Sequence, residues 1–483
     1  MNNHNLKVST NENLFFSILA VSFRLIANVF VFWLLARVYD PHIFGQFTFA
    51  HSLATTLIVI ADFGFDVFLT TEISSKKESV GSVFSNLFSY KILFTFFTMA
   101  GMLSFALIMH SSDDIRILVF LFSFFLASTT LTNFSFALFR GVENLGYEMK
   151  VSLVMNASLV VVLPILIVIK VHIIVIALVF VASRILGLCI AINYSSQIIG
   201  SINYGAMFYG FGHIRKKMFV FGFHFVFSYI FFQLDTILLM LLKGEYDTGI
   251  YQAVFKFIML PLAIPEIVMN VLLPVLTRLF GENKEEWKRI GCLLSKSLLL
   301  IILPISFLLF TYADSIIVLV YGAKYISAAP ILKIFSLIIL VRFLLEPFAL
   351  MLTTSGRQYI RLFTVVIAAL INLVLNLILI PKMGAEGAAL VSLITNIFVG
   401  LVFAAFNMHI LKLWFANKRS LFLLILIIVE IPLVISAALF MKIAGLIIIS
   451  IFFGISVYLY LTEHEKKLLS NEVKINIKRV WNK

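Results

Sequence analysis

Long apolar segments alternate with short polar segments along nearly the whole chain. The apolar segments are about 20 residues long, the length that an α-helix needs to cross the hydrocarbon core of a bilayer. A transmembrane β-barrel would instead show segments of about 10 residues with alternating polarity. The pattern therefore predicts an all-α, polytopic membrane protein with about 14 transmembrane helices. The expected spans are residues 14–35, 44–71, 83–109, 115–138, 151–169, 173–195, 219–242, 249–276, 293–313, 327–353, 360–381, 385–411, 420–441 and 443–461.

One hairpin pattern occurs twice in the chain. Between Val31 and Thr71 an apolar segment is followed by a short polar turn and a second apolar segment. The same arrangement returns 204 residues later, from Asp235 to Val275, and Gly45 then aligns with Gly249 without a gap. Recurrence at a fixed offset indicates an internal duplication. Because an even number of spans separates the two copies, an axis along the membrane normal would relate them.

The duplication predicts two six-helix bundles related by a pseudo-two-fold axis along the membrane normal, plus two extra helices. The long polar linker between the sixth and seventh spans is the natural boundary between the bundles. We expect a cytoplasmic tail at 1–13, the first bundle at 14–196, a cytoplasmic linker at 197–218, the second bundle at 219–412, extra helices 13 and 14 at 413–462 and a basic cytoplasmic tail at 463–483.

Composition and charge agree with a membrane location. Hydrophobic residues make up 61% of the 483 residues and charged residues only 13%, which is too little charge for a soluble protein of this length. If the N-terminus is cytoplasmic, 22 of the 37 Lys and Arg residues lie on the cytoplasmic side and 7 on the outer side. This asymmetry predicts that both termini are cytoplasmic. The net charge of +13 then reflects topology and attraction to anionic lipids, and we expect no nucleic-acid partner.

No catalytic motif is evident in the sequence. There is no Walker motif, no cluster of His and Cys with metal-ligand spacing, and no loop large enough for an enzymatic domain. We therefore expect a transporter rather than an enzyme, with neither a metal nor an organic cofactor.

Ionisable residues inside the spans are the candidate functional groups, because charges in hydrocarbon are costly and usually face a bundle interior or a wet cavity. The expected substrate-binding residues are Arg24, Asn28, Lys91, Arg184, Lys256 and Arg342. The expected ion-coupling residues are Asp62, Asp235, Glu266 and Glu346. The basic first half suits an anionic substrate, and the acidic second half suits a coupling cation.

Several of these residues have a structural alternative. Arg342 and Glu346 are four residues apart and can neutralise each other, and Lys91 can extend its ammonium toward the interface. Arg24 can pair with an acid on a neighbouring span, such as Asp62. Asn372 and Asn376 share a helix face and are better explained by hydrogen bonds between helices than by substrate contact.

Five segments carry a resemblance to a known family. They are LLARVYDPHIFGQF, ADFGFDVFLTTEIS, DTILLMLLKGEYDTGIYQAVFKF, YGAKYISAAPILKI and IPKMGAEGAALVS. In these segments the chain resembles the polysaccharide flippases, the O-antigen-type transporters of the multidrug/oligosaccharidyl-lipid/polysaccharide exporter superfamily. The resemblance spans nearly the whole chain, although no single segment is specific.

The resemblance implies a V-shaped pair of bundles in the inner membrane of a prokaryote. It implies that a polyprenyl-pyrophosphate-linked oligosaccharide, such as an O-antigen unit of lipopolysaccharide, is flipped to the outer leaflet by alternating access. Arg24 matches a basic position in the first helix of the lipid-linked-sugar branch of the superfamily. The resemblance also implies other polysaccharide assembly proteins as partners and coupling to a proton or a sodium ion.

Two alternatives belong to other functional classes. A multidrug extruder of the same superfamily would export organic cations, and it would need an acidic cavity that the first half lacks. An integral-membrane polysaccharide polymerase or ligase would need a large outer loop with basic residues, and the outer loops here are short.

The charge asymmetry gives a topology that can be tested directly. Reporter fusions after Lys77, Lys217 and Lys483 are expected to report the cytoplasm, and fusions after Asp114 and Lys382 are expected to report the outside. A C-terminal fusion that reports the outside would contradict the even number of spans.

Overall fold

A computed structural model describes residues 10–75, 80–109, 112–200 and 233–416, which form helices and contain no β-strand. The predicted spans 420–441 and 443–461, the basic tail and most of the linker lie outside these described residues. The helices are α1 (Thr10–Val38), α2 (Pro41–Asp62), α3 (Phe65–Ser75), α4 (Val80–Ile108), α5 (Asp113–Gly141), α6 (Leu145–Val168), α7 (Ile173–Ile199), α8 (233–243), α9 (Glu245–Glu282), α10 (Lys284–Thr311), α11 (Ala313–Tyr321), α12 (Ala329–Thr354), α13 (Gln358–Ala405) and α14 (Met408–Ala416). A short 3₁₀ helix, Ala323–Ala328, precedes α12.

Nine helices in the described part of the chain are long and apolar enough to cross a membrane. This confirms the prediction of an all-α, polytopic membrane protein. The predicted spans 360–381 and 385–411 correspond largely to α13, which is interrupted by a non-helical residue at Gly384. The second of these spans extends past the end of α13 into α14.

The predicted span 44–71 is wrong as a single helix, because it consists of α2 and α3 with a break between them. Phe63 adopts the left-handed conformation with φ 41°, and its N–H donates to the carbonyl of Val59. Gly64 follows with φ 85°, a value that glycine accepts without steric cost. Asp62 Oδ1 then accepts a hydrogen bond from the Asp66 N–H at 3.2 Å in the first turn of α3. Asp62 and Asp66 therefore belong to two different helices.

The described residues form two compact units. The first contains the described chain up to Phe257, together with Val320–Tyr325 and Ala369–Ala388. Within it, α5 packs against α2, α3, α4 and α7, and α1 packs against α6. The rings of Phe84, Phe88 and Phe134 lie 5.1 to 5.9 Å apart and are buried in the core beside α3.

The second unit contains Ile258–Leu319, Ile326–Ala368 and the described chain from Ala389. In this unit α10 packs against α12 and α14. Two polar contacts join α10 to α12: Trp287 Nε1 donates to Thr354 Oγ1 at 2.9 Å, and Ser306 Oγ donates to the Ser336 carbonyl at 2.7 Å. The predicted boundaries of the six-helix bundles stay a prediction.

Two glycines that the repeat aligns with each other make a very close helix contact in the first unit. A Cβ atom on Gly45 of α2 would lie 2.0 Å from the carbonyl oxygen of Glu245, and one on Gly249 of α9 would lie 1.9 Å from that of Pro41. Small residues let membrane helices approach closely. At this crossing the backbones themselves touch, so that no side chain larger than hydrogen fits.

We expect Gly45→Ala and Gly249→Ala each to destabilise this arrangement. Overpacking typically costs about 1–3 kcal/mol, which should lower the melting temperature of the purified protein. Gly101→Ala in α4 is the matched control, because its Cβ would meet no atom within 4 Å and alanine favours a helix. Equal melting temperatures for all three variants would contradict the close contact.

Candidate functional site

Basic and aromatic side chains meet inside the first unit, on helices α1, α2, α7 and α9. Arg184 of α7 is 6% exposed, and its guanidinium carbon lies 5.4 Å from the centroid of the Phe125 ring. Lys256 of α9 places Nζ 4.5 Å from the centroid of the Phe32 ring. Such cation–π contacts stabilise a cation without neutralising its charge.

His51 and Arg24 complete this group, which we call the basic cluster: Arg24, His51, Arg184 and Lys256. The His51 ring lies 5.0 Å from the Phe32 ring and 5.4 Å from the Phe125 ring. His51 interacts electrostatically with Lys256 and Arg184, and Arg184 interacts with Arg24. The cluster therefore brings together residues of four helices, α1, α2, α7 and α9.

No carboxylate in the described chain forms an ion pair with Arg24, Arg184 or Lys256. Arg184 Nε and His51 Nδ1 are buried, and neither has a hydrogen-bond partner among the described residues. Buried polar groups normally have partners, so these two nitrogens are unusual. A group of cations without a counter-charge is chemically suited to an anion with several oxygen acceptors.

Lys91 has a different environment from the basic cluster. Its Nζ lies 2.6 Å from Asp62 Oδ1 and 2.9 Å from Asp66 Oδ1, and its side chain is fully buried. The sequence interpretation in which Lys91 extends to the interface is therefore wrong. Its assignment to the substrate and that of Asp62 to a coupling ion stay predictions, although the ion pair satisfies Lys91 without a ligand. Asp62 also does not pair with Arg24, since its partner is Lys91.

Asp235 of α8 lies in a second polar group of the first unit and is 3% exposed. Tyr251 Oη donates to Asp235 Oδ2 at 2.8 Å, and Asn376 Nδ2 donates to Asp235 Oδ1 at 2.6 Å. Asn376 Nδ2 also lies 2.9 Å from Asn372 Oδ1. The two asparagines therefore connect α13 to α8, as hydrogen bonds between helices would require.

The remaining predicted site residues are less informative. Arg342 and Glu346 lie in the second unit, with Nη2 and Oε2 4.0 Å apart, at the outer limit of an ion pair. The side chain of Glu266 lies outside what the structure describes. Asn28 lies on α1 one turn from Arg24 and is half-buried. The roles of all these residues stay predictions.

Sequence reasoning alone gives too little weight to three residues. His51, which interacts with two cations, and Asp66, which accepts a hydrogen bond from Lys91, are not among the site residues selected from the sequence. Tyr251, which donates a hydrogen bond to Asp235, is not selected either. The helical spacing of His51 and Asp66 along one apolar segment is the available signal, but it cannot show which helices pack against that segment.

The fold and its buried charges define a polytopic α-helical membrane transporter. A sequence profile described as "Polysaccharide biosynthesis protein" matches residues 11–280, and a second, described as MatE, matches residues 221–378. The first match covers more than half of the 483 residues. The chain therefore belongs to the polysaccharide biosynthesis protein family, the flippases of the multidrug/oligosaccharidyl-lipid/polysaccharide exporter superfamily.

Two relatives match part of the chain. It is 32% identical over 128 residues to the teichuronic acid biosynthesis protein TuaB of Bacillus subtilis, and the matched segment covers 26% of each chain. It is 35% identical over 121 residues to an uncharacterised membrane protein of Methanocaldococcus jannaschii, which covers 25% of this chain and 22% of the relative. The matched segment thus spans about a quarter of the length of these curated relatives.

Solved structures share the fold over most of the chain. The lipid II flippase MurJ in an inward closed conformation superposes with a TM-score of 0.70 and 19% identity, covering 92% of this chain and 98% of that one. An inward-facing multidrug resistance MATE family transporter gives a TM-score of 0.65 and 12% identity, covering 82% and 98%. Because the sequence identities are this low, the superpositions establish a shared fold and nothing more. The family and these neighbours are transporters and flippases, which confirms that the chain is not an enzyme.

Proposed function

We propose that this transporter flips a polyprenyl-pyrophosphate-linked oligosaccharide from the cytoplasmic to the outer leaflet of a prokaryotic inner membrane. Membership of the family already assigns the chain to transport in polysaccharide biosynthesis. The observation that carries the substrate assignment is the basic cluster, in which Arg184 is buried, Lys256 is partly buried, and neither has a carboxylate partner among the described residues. A surface polysaccharide unit such as O-antigen fits this class of substrate.

The charge of the cluster favours a pyrophosphate. Holding several cations close together in a low-dielectric interior is unfavourable unless an anion neutralises them. A pyrophosphate supplies more than one negative charge and several acceptor oxygens within a few ångströms. Arg24 and Arg184 present planar forks of donors that match phosphate oxygens, and Lys256 adds a point charge.

The location of the protein and its wider partners are part of the same proposal. The excess of Lys and Arg in predicted cytoplasmic segments supports cytoplasmic termini. Other polysaccharide assembly proteins would deliver the lipid-linked unit on the inner side and consume it on the outer side. Transport by alternating access is supported by the fold that the chain shares with known flippases and transporters.

A multidrug extruder is the second candidate, favoured by the match to the MatE profile. Such a protein would bind organic cations, which the basic cluster would repel. Export of cationic dyes that depends on Arg184 and Lys256 would support this candidate and contradict the flippase proposal.

The role of the cluster can be tested at Arg24. Arg24→Ala should nearly abolish surface polysaccharide when it is used to complement a flippase-null strain, because losing a charge-assisted contact costs roughly 2–5 kcal/mol. Arg24→Lys should retain part of the activity, since a lysine keeps the charge but loses the planar fork. Membrane abundance is measured alongside.

Arg116→Ala is the matched control, because Arg116 is exposed and pairs with the exposed Asp113 at 3.2 Å. A direct measurement uses purified protein and a polyprenyl pyrophosphate, with the uncharged polyprenol as the reference ligand. Normal polysaccharide from Arg24→Ala, or equal affinity for the two lipids, would contradict the assignment.

We further propose that the coupling ion, a proton or sodium, binds at Asp235. Its carboxylate is buried and contacts the side chains of Tyr251 and Asn376, each of which also carries an oxygen atom. Oxygen atoms are the ligands that hard cations prefer. Glu346 is a weaker candidate, because Arg342 lies 4.0 Å from its carboxylate.

Neutralising the acids one at a time distinguishes these candidates. Asp235→Asn should abolish the dependence of transport on an imposed ion gradient, because the charge that binds the ion is removed. Glu346→Gln and Glu266→Gln are the comparison variants. The measurement is uptake of lipid-linked substrate into vesicles with and without the gradient. Full gradient dependence in Asp235→Asn would show that the ion binds elsewhere.

A further inference from the structure

One ammonium and two carboxylates lie together at the break between α2 and α3. Lys91 Nζ donates to Asp62 Oδ1 at 2.6 Å and to Asp66 Oδ1 at 2.9 Å. We propose that Asp62 and Asp66 share one exchangeable proton, so that Lys91, Asp62 and Asp66 form a proton-binding site. Its use in a transport cycle rests on the proposed function, whereas the binding of the proton does not.

The charges of this triad do not balance without a proton. Two ionised carboxylates and one fully buried ammonium leave a net charge of −1 on a group of largely enclosed side chains. An uncompensated buried charge is costly, and two carboxylates that share one partner cannot both ionise easily. One proton on the pair makes the triad neutral. The proton belongs to the pair, since both carboxylates contact the same nitrogen.

The groups that surround the triad leave this balance unchanged. The helices against α3 are α4, on which Lys91 is the only charged residue, and α5, whose Arg140 acts on Asp66 electrostatically. Arg140 already has its own counter-charge, because its Nε lies 2.8 Å from Glu148 Oε2. It therefore cannot neutralise Asp66 as well.

Exposure differs between the members of the triad in a way that suits proton exchange. The Lys91 side chain is completely enclosed, with the ring centroids of Phe65 and Phe134 5.8 Å and 5.7 Å from Nζ. The side chains of Asp62 and Asp66 are 21% and 19% exposed. A proton can thus reach or leave the partly exposed carboxylates while the enclosed lysine stays in place.

The position of the triad links the proton to the backbone. Asp62 ends α2, Asp66 lies in the first turn of α3, and the Phe63–Gly64 break lies between them. When both carboxylates are ionised they repel each other and compete for Lys91. When one is protonated, the repulsion disappears and a single ion pair remains. The charge state of the pair therefore biases the angle between α2 and α3.

Infrared difference spectroscopy of the purified, full-length protein without substrate tests the proposal. The wild type should show the carbonyl stretch of a protonated carboxylic acid, which shifts in D₂O and disappears as the pH is raised. Asp62→Asn and Asp66→Asn should each lose this band, because each leaves one carboxylate for one ammonium. Asp113→Asn is the matched control, because Asp113 is exposed, and it should keep the band. Absence of the band in the wild type, or its persistence in both triad variants, would overturn the proposal.

A second measurement, of transport in proteoliposomes, distinguishes a proton-binding site from a purely structural ion pair. Folded Asp66→Asn should lose the stimulation of transport by an imposed pH gradient, and Asp66→Glu should restore it. Stimulation that survives in folded Asp66→Asn would overturn the coupling role. If the proposed substrate is wrong, the protein will show no affinity for polyprenyl pyrophosphate. The infrared band would then be unchanged, so the two proposals can fail separately.

Discussion

The structure is governed by the cost of placing a charge in hydrocarbon. Every cation inside a span must be neutralised by the protein or by something that the protein binds. Lys91 and Lys256 show the two solutions in the same chain. Lys91 is enclosed with two carboxylates, whereas Lys256 lies over the Phe32 ring and has no carboxylate partner among the described residues. In the first arrangement the protein itself supplies the counter-charge of the lysine, and in the second we propose that a bound anion supplies it.

The sequence is sufficient to predict the type and approximate bounds of most of the described helices. Span length depends on bilayer thickness alone, so that apolar segments near 20 residues identify helices without any knowledge of packing. The break at Phe63–Gly64 escapes prediction because it lies inside an almost unbroken apolar segment. The partner of each charge cannot be predicted either, for another reason. Lys91 and Asp62 are 29 residues apart, and their pairing depends on how the helices are rotated about their axes, which cannot be inferred from a single sequence.

The two copies of the predicted internal duplication differ more in charge than in backbone packing. Gly45 and Gly249 are aligned by the repeat and meet at one crossing, where any Cβ would overlap a carbonyl group. Such a position accepts only glycine, so both copies keep it. Charged positions have more freedom, because a pair can be lost together or moved to another helix. Lys91 has no lysine at its aligned position in the second copy, since the residue 204 positions later is Ser295.

The sign of the buried charge then determines what a shared fold can transport. A lipid II flippase and a multidrug transporter have the same helical arrangement at identities of 19% and 12% with this chain, so the arrangement alone does not select a substrate. Selection requires a fixed charge that the protein leaves without a partner. In the first unit Asp62 and Asp66 are already engaged by Lys91 and Glu148 by Arg140, while the cations of the basic cluster have no carboxylate partner in the described chain. This excess of positive charge is the reason why we propose an anionic ligand.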